Sequence, residues 1–371
     1  MASIFTPTRL TYTRCAALAL SALLATTAHA GMFDMIDNLS KKIAEGSAAA
    51  EAEVDAKFAE EMRKEMPVYS FDIPAPDQSG QYVKMKDGDT LEDVKKVGIV
   101  NFSVEFVVEN EATAVGSQQS KSKVRGIPNQ DTAKMQAMVE ELYTKTVSDL
   151  GAMGIEIVPF ETIKATKNYG DLAEVLHASP WETETKGNVD VANGGGSGGA
   201  KSKSILVAPA GISIFADNSK RFASIPGGLF GPNIPLKVVK IGYDLNREVV
   251  LLSVNMVVDF SVMQTSGRSL LNVAKIKTAD IHHLQADNTY FKFQSARGSA
   301  PLLTLKKAVV SDKPLFSEAK NFKAEIESGI TSTETSTTSD KSFYADTYYA
   351  RSGEMLEAAR QMFIAELKKA K

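Results

Sequence analysis

The chain has 371 residues, 43% hydrophobic and 23% charged, with a formal net charge of −3. That balance excludes the concentrated basic face nucleic-acid binding needs, and beyond the leader no apolar run approaches the roughly 18 residues of a membrane-spanning helix. The one cysteine, Cys15, lies inside the leader, which excludes disulfides, sulfur-bound metals and cysteine nucleophiles from the remainder.

Residues 1–30, "MASIFTPTRLTYTRCAALALSALLATTAHA", read as a secretory signal peptide. Arg9 and Arg14 make a positive start, residues 16–24 form a short apolar core, and Ala28 and Ala30 give a small-residue cleavage site before Gly31. Cys15 precedes the apolar core, which does not match a lipoprotein signal. The expected location is therefore exported, periplasmic or secreted.

Residues 31–66 are rich in Ala, Glu, Lys and Met and lack proline, so they predict a helical arm. Phe33, Ile36, Leu39 and Ile43 form one apolar stripe, Gly46 and Ser47 interrupt it, and Val54, Phe58 and Met62 continue a thinner one. Such an arm either docks on the body or binds a partner. Residues 67–96, with Pro67, Pro74 and Pro76, read as a linker of turns with a hairpin around Lys86 to Asp89.

The main domain is expected over residues 97–371. "VGIVNFSVEFVVE", residues 97–109, is β-branched and aromatic enough for a central strand, and residues 110–129 read as a polar, flexible loop. A helix capped by Asn129 or Asp131 follows and stops near Gly151 and Gly154, before a strand beginning at Ile155. This is a βαβ unit with parallel strands. Residues 182–203 read as a second flexible loop, with strands resuming at 205–208. Three prolines and three glycines make 226–235 a loop, and a short helix is expected over 236–245. Strands are predicted over 249–263, 270–277, 289–294 and 302–310, a flexible Ser/Thr-rich loop over 328–339, and a closing helix with Met355, Ala359, Met362, Phe363 and Leu367 on one face. The elements predict an α/β fold, with α+β as the open alternative: a mixed β-sheet with a βαβ unit, antiparallel strands and flanking helices, preceded by the arm.

The order "GIVNFSVEF", long helix, "IEIVPFE", short helix, "VVLLSVNMVVDFSV", antiparallel strands and closing helix resembles the periplasmic α/β domain of the curli secretion-channel family (CsgG-type) and of the TolB amino-terminal domain. The resemblance spans roughly residues 97–371 and implies a role in curli-like envelope assembly. It departs from the channel members at two points: no cysteine stands at the cleavage site, and the loops that would supply lipid-facing hairpins are polar.

Among chemistry-bearing residues, His282 and His283, with Asp280 and Asp287 nearby, are the candidates for metal or hydrolytic work. Adjacent strand positions face opposite ways, so the two rings could share an ion only from an irregular loop, and the favoured reading is a solvated one. His177 is far away in sequence. The glycine run 193–199 lacks the final glycine of a Walker loop, because Ala200 precedes Lys201 and Ser202, and "GGSGG" lacks the strand that precedes a nucleophile elbow. "FYADTYY", residues 343–349, is either core packing or a partner surface. The sequence therefore assigns no catalytic, cofactor or metal residue. It favours a non-enzymatic exported envelope protein that acts in assembly or as a binding scaffold, its partner another envelope protein engaged through the arm. The alternative is a secreted hydrolase with a site in loops 226–235 and 278–288.

Overall fold

A computed structural model describes residues 50–115, 119–186, 189–191, 199–215, 234–266, 275–317, 322–328, 333–339 and 342–371. Residues 1–30, expected to be a signal peptide, residues 31–49 of the expected arm, loop residues 226–233 and most of the glycine run lie outside these. The fold is α/β, with parallel and antiparallel strands in one mixed sheet and helices against it.

The helix α1 occupies residues 50–65, as the Ala and Glu content predicts. The turns and local hairpin expected over residues 67–96 are not what forms. Residues 75–82 make helix α2 (Ala75–Tyr82), and β1 (Val83–Lys86) leads to a single 3-10 turn and pairs with a strand more than 200 residues away. Prolines suit the first turn of a helix, where their missing N–H leaves nothing unpaired. Gln78 then anchors the helix by donating to the Ser70 and Ile73 carbonyls at 2.9 Å each.

The βαβ unit forms as expected. Strand β2 (Lys96–Val115) is followed by β3 (Gln119–Gly126), α3 (Thr132–Ala152) and β4 (Glu156–Val158), which pairs in parallel with the start of β2. Asp131 is the cap, its carboxylate accepting from the Lys134 N–H at 3.0 Å. Past its end, Gly154 turns the chain at φ +76°, a backbone position that favours glycine. Strand β8 (Val249–Ser266) lies parallel to β2 on its other side.

Helix α3 and the closing helix α7 (Ala345–Ala370) cover one sheet face. Met355, Ala359, Met362, Phe363 and Leu367 are all fully buried there, against Phe102, Val104 and Phe106 of β2 and Met256 of β8. The opposite face carries a smaller core built from Val100, Leu206 and Leu251 with the short helices α4 (Phe160–Lys164), α5 (Lys167–Gly170) and α6 (Ile234–Asp244).

Three segments expected to be loops contain strands instead. Within 110–129, β2 continues to Val115 and β3 forms. The stretch 182–203 holds most of β5 (Trp181–Lys186), β6 (Val189–Val191) and the start of β7 (Gly199–Val207), whose end falls where a strand was expected. Within 328–339 stands β14 (Thr333–Ser339), and β13 (Phe322–Ser328) precedes it. Polarity reports how much side chain is buried, whereas these segments are ordered through main-chain ladders supplied by long neighbours. Of the strand expected over 270–277, residues 275–277 open β9 (Lys275–Leu284) and 270–274 lie outside the described residues. The one over 302–310 divides into β11 (Leu302–Leu305) and β12 (Val309–Val310), and β10 (Tyr290–Gln294) stands where a short strand was expected.

Candidate functional site

The two longest strands run side by side and then part. β2 pairs with β8 as far as Phe106 and Val258, then continues between β3 and β7, while β8 continues between β9 and β6. Irregularities between Val107 and Glu109 and between Asp259 and Ser261 mark the fork. A buried polar network bridges the two branches. Asn110 Nδ2 donates to Asp259 Oδ1 and to Ser261 Oγ at 2.9 Å each, and Ser202 Oγ donates to Asn110 Oδ1. The Asp259 carboxylate also accepts from Gln285 Nε2 at 2.6 Å and from the Phe260 N–H at 2.7 Å. Asp259 is 2% exposed, so these donors are what offsets the loss of water around its charge.

Nearby, Ser103 Oγ donates to Asn255 Oδ1 at 3.1 Å, and Ser204 Oγ donates to buried Glu105 at 2.7 Å. The signal for this network was present in "NFSVE" and "SVNMVVDF", where polar residues recur at alternate positions inside apolar strands. The hydrogen bonds of Asn110, Asp259, Ser202 and Ser261 join the two branches, which suits the network to fixing the fork.

The solvated reading of His282 and His283 is corrected: both lie on β9, at 3% and 4% exposure. Residues 278–284 of the proposed hydrolytic loop are strand because β8 and β12 pair with them on both sides. His282 Nε2 lies 3.0 Å from Ser352 Oγ on α7, and its ring stacks on Tyr348 at 5.0 Å. Burial above all, with the electrostatic effect of Arg351 nearby, lowers the His282 pKa to about 3, so the ring is neutral. Ser352 is itself fully buried and does not meet solvent. His283 Nδ1 instead lies 2.9 Å from the Ile281 carbonyl oxygen, Asp280 approaches Arg125 at 3.6 Å, and Asp287 is exposed in the turn before β10. The four candidates do not converge, and among the described residues no group of His, Cys, Asp or Glu could hold a metal. His177 stacks on Trp181 at 3.6 Å on the other side of the molecule's core.

The aromatic run 343–349 is core packing at its end: Tyr348 and Tyr349 are buried, and the Tyr349 hydroxyl accepts from the Asp131 N–H at 2.6 Å. Lys203 is exposed on β7 and pairs with Glu109 at 2.7 Å. The described part of the arm docks on the body. Phe58 and Met62 pack on Ala279, Ile281 and Val310, while Asp55 pairs with Lys123 and accepts from the Thr278 N–H at 2.8 Å. Accessible surfaces remain among the described residues. An open crevice of about 670 Å³ lies between α3 and α7, with Met138 and Leu142 at its base and Glu141, Lys145 and Glu354 on its rim. The sheet ends in β13, which has β14 on one side and no strand on the other among the described residues.

Fold and site together define a mixed-sheet α/β body with a buried polar network at the fork of its two longest strands and, among the described residues, accessible strand edges and grooves. No family model, curated protein or solved structure matches the chain. No described helix is long and apolar enough to cross a membrane.

Proposed function

We propose that the protein is an exported, non-enzymatic component of the cell envelope that acts as a binding scaffold in assembly. The observation that carries this reading is the mismatch between sheet and cover. β2 and β8 have 20 and 18 residues, and at about 3.3 Å per residue β2 is about 65 Å long. α3 and α7, with 21 and 26 residues at about 1.5 Å each, are only about 30 and 40 Å long. The sheet therefore outruns its helices, and its polar extension ends in the outer edge of β13. An edge strand offers main-chain donors and acceptors to a partner strand, which is how extended segments are recruited without a catalytic cleft. The leader and the resemblance to curli secretion-channel domains support placement in the envelope.

The test is recovery of partners from envelope extract by the full chain and by a variant lacking residues 322–339. Deletion should leave the thermal transition of the body in place and abolish recovery. Equal recovery by both forms would contradict the reading.

A further inference from the structure

At the end of the sheet where β2 and β8 begin, a cleft of about 420 Å³ lies between the segment before β2, the turn after α6 and the turn after β10. Its lining brings together two guanidinium side chains, Arg247 and Arg297, and the hydroxyls of Thr90, Ser295 and Ser299. Val94, Val250 and Pro301 add an apolar portion.

The backbone at Arg247 is unusual for an arginine. Asn246 and Arg247 stand at φ +57° and +62°, in the left-handed region that asparagine tolerates and arginine adopts at a cost of about 1 kcal/mol. The Arg247 N–H donates to the Gly242 carbonyl at 2.8 Å and so closes the end of α6. That closure needs only a left-handed residue, and glycine or asparagine would serve it better. The side chain is what remains to be explained. Its guanidinium lies 4.8 Å from the centre of the Tyr243 ring, which holds it in place without neutralising it.

Arg297 is similarly placed by its turn: its N–H donates to Ser295 Oγ at 3.0 Å, and a bridge pairs Ser295 with Gly298, which stands at φ +138°. Neither guanidinium is ion-paired among the described residues, although Asp93 and Glu248 line the same cleft. Glu248 instead faces Lys96 at 3.9 Å.

We propose that this cleft binds an organic phosphate, its phosphoryl group held by Arg247 and Arg297 and its carbon portion seated on Val94, Val250 and Pro301. Guanidinium forks match phosphate oxygens, and the Ser295 and Ser299 hydroxyls can donate to oxygens the forks leave open, whereas the Thr90 hydroxyl already donates to the Asp87 carbonyl at 2.6 Å. The cleft is larger than a bare phosphate needs, and the two carboxylates on its lining repel polyanions, which selects a small monophosphate ester. That ester is either a soluble metabolite or a phospholipid headgroup.

The full chain is titrated calorimetrically with glycerol 3-phosphate and with acetate, and floated with vesicles containing phosphatidylglycerol. The wild type should bind glycerol 3-phosphate saturably and in preference to acetate if the source is soluble, or float with the vesicles if it is a headgroup. Arg247→Asn and Arg297→Gln should each weaken that binding at least about tenfold, the scale of one lost charged hydrogen bond. Arg247→Asn should at the same time leave the melting temperature unchanged or raised, because asparagine fits the left-handed turn. Absence of saturable binding in both arms, binding that survives the double variant, or a lowered melting temperature with unaltered binding would overturn the assignment.

Discussion

Asp259 illustrates what single residues do at the fork. Its carboxylate is buried, has no cationic partner among the described residues, and is held by two side-chain amides and the N–H groups of Phe260 and Ser261. Asp259→Asn puts an NH2 group where an acceptor is required and should lower stability by about 2 kcal/mol in denaturant unfolding, the scale of hydrogen bonds to a charged group. A loss under 0.5 kcal/mol would show that the fork is held by its backbone alone. His282 gives a second residue-level expectation. Its pKa is about 3 in the folded protein and about 6.5 when unfolded, so the unfolded chain binds the extra proton first as pH falls. The stability linked to this ring is complete above pH 6.5 and declines as pH falls toward 3. Unfolding free energies measured across that window should fall less steeply for His282→Gln than for the wild type. Identical slopes would mean that another group carries the acid sensitivity.

At the scale of elements, α1 holds on through few contacts. Phe58→Ala removes the larger of its two buried apolar side chains, and such truncations cost about 3 kcal/mol. That exceeds what a marginally docked surface helix retains. Limited proteolysis should then cleave within residues 50–66 while the sheet stays protected; an arm that stays protected would mean that the Asp55 contacts suffice. The elements also show what the sequence makes legible. The βαβ unit, the cap at Asp131 and the stripe from Met355 to Leu367 follow from periodicity and capping chemistry, because there the local pattern and the buried face coincide. α2 was hidden by Pro74 and Pro76, which read as breakers but stand at its start. β3, β5, β14 and the first half of β7 were hidden because Ser, Thr, Lys and Glu dominate them, and their order comes from distant strands; β13 lay outside any predicted element. The histidines were misplaced for the same reason: "IHHL" is polar by composition, yet β8 and α7 enclose it. Arg247 could have been noticed from "YDLNREVV", where a helix end leads directly into a strand.

For the whole molecule, the organising fact is that a single sheet serves two ends. At one end α3 and α7 enclose an apolar core; at the other, polar branches joined by Asn110 and Asp259 run out to β13. The first end supplies stability, and the second supplies the surface by which a scaffold would act. The central claim is that β13 is a docking edge for an envelope partner. It is tested most directly by placing a photo-crosslinking residue at Lys323 or Glu325 in the full chain within intact cells, with Lys292 on the interior strand β10 as control. The account predicts a discrete crosslinked species from the β13 positions and none from position 292. Absence of a crosslink from β13, or equal crosslinking from β10, would contradict it.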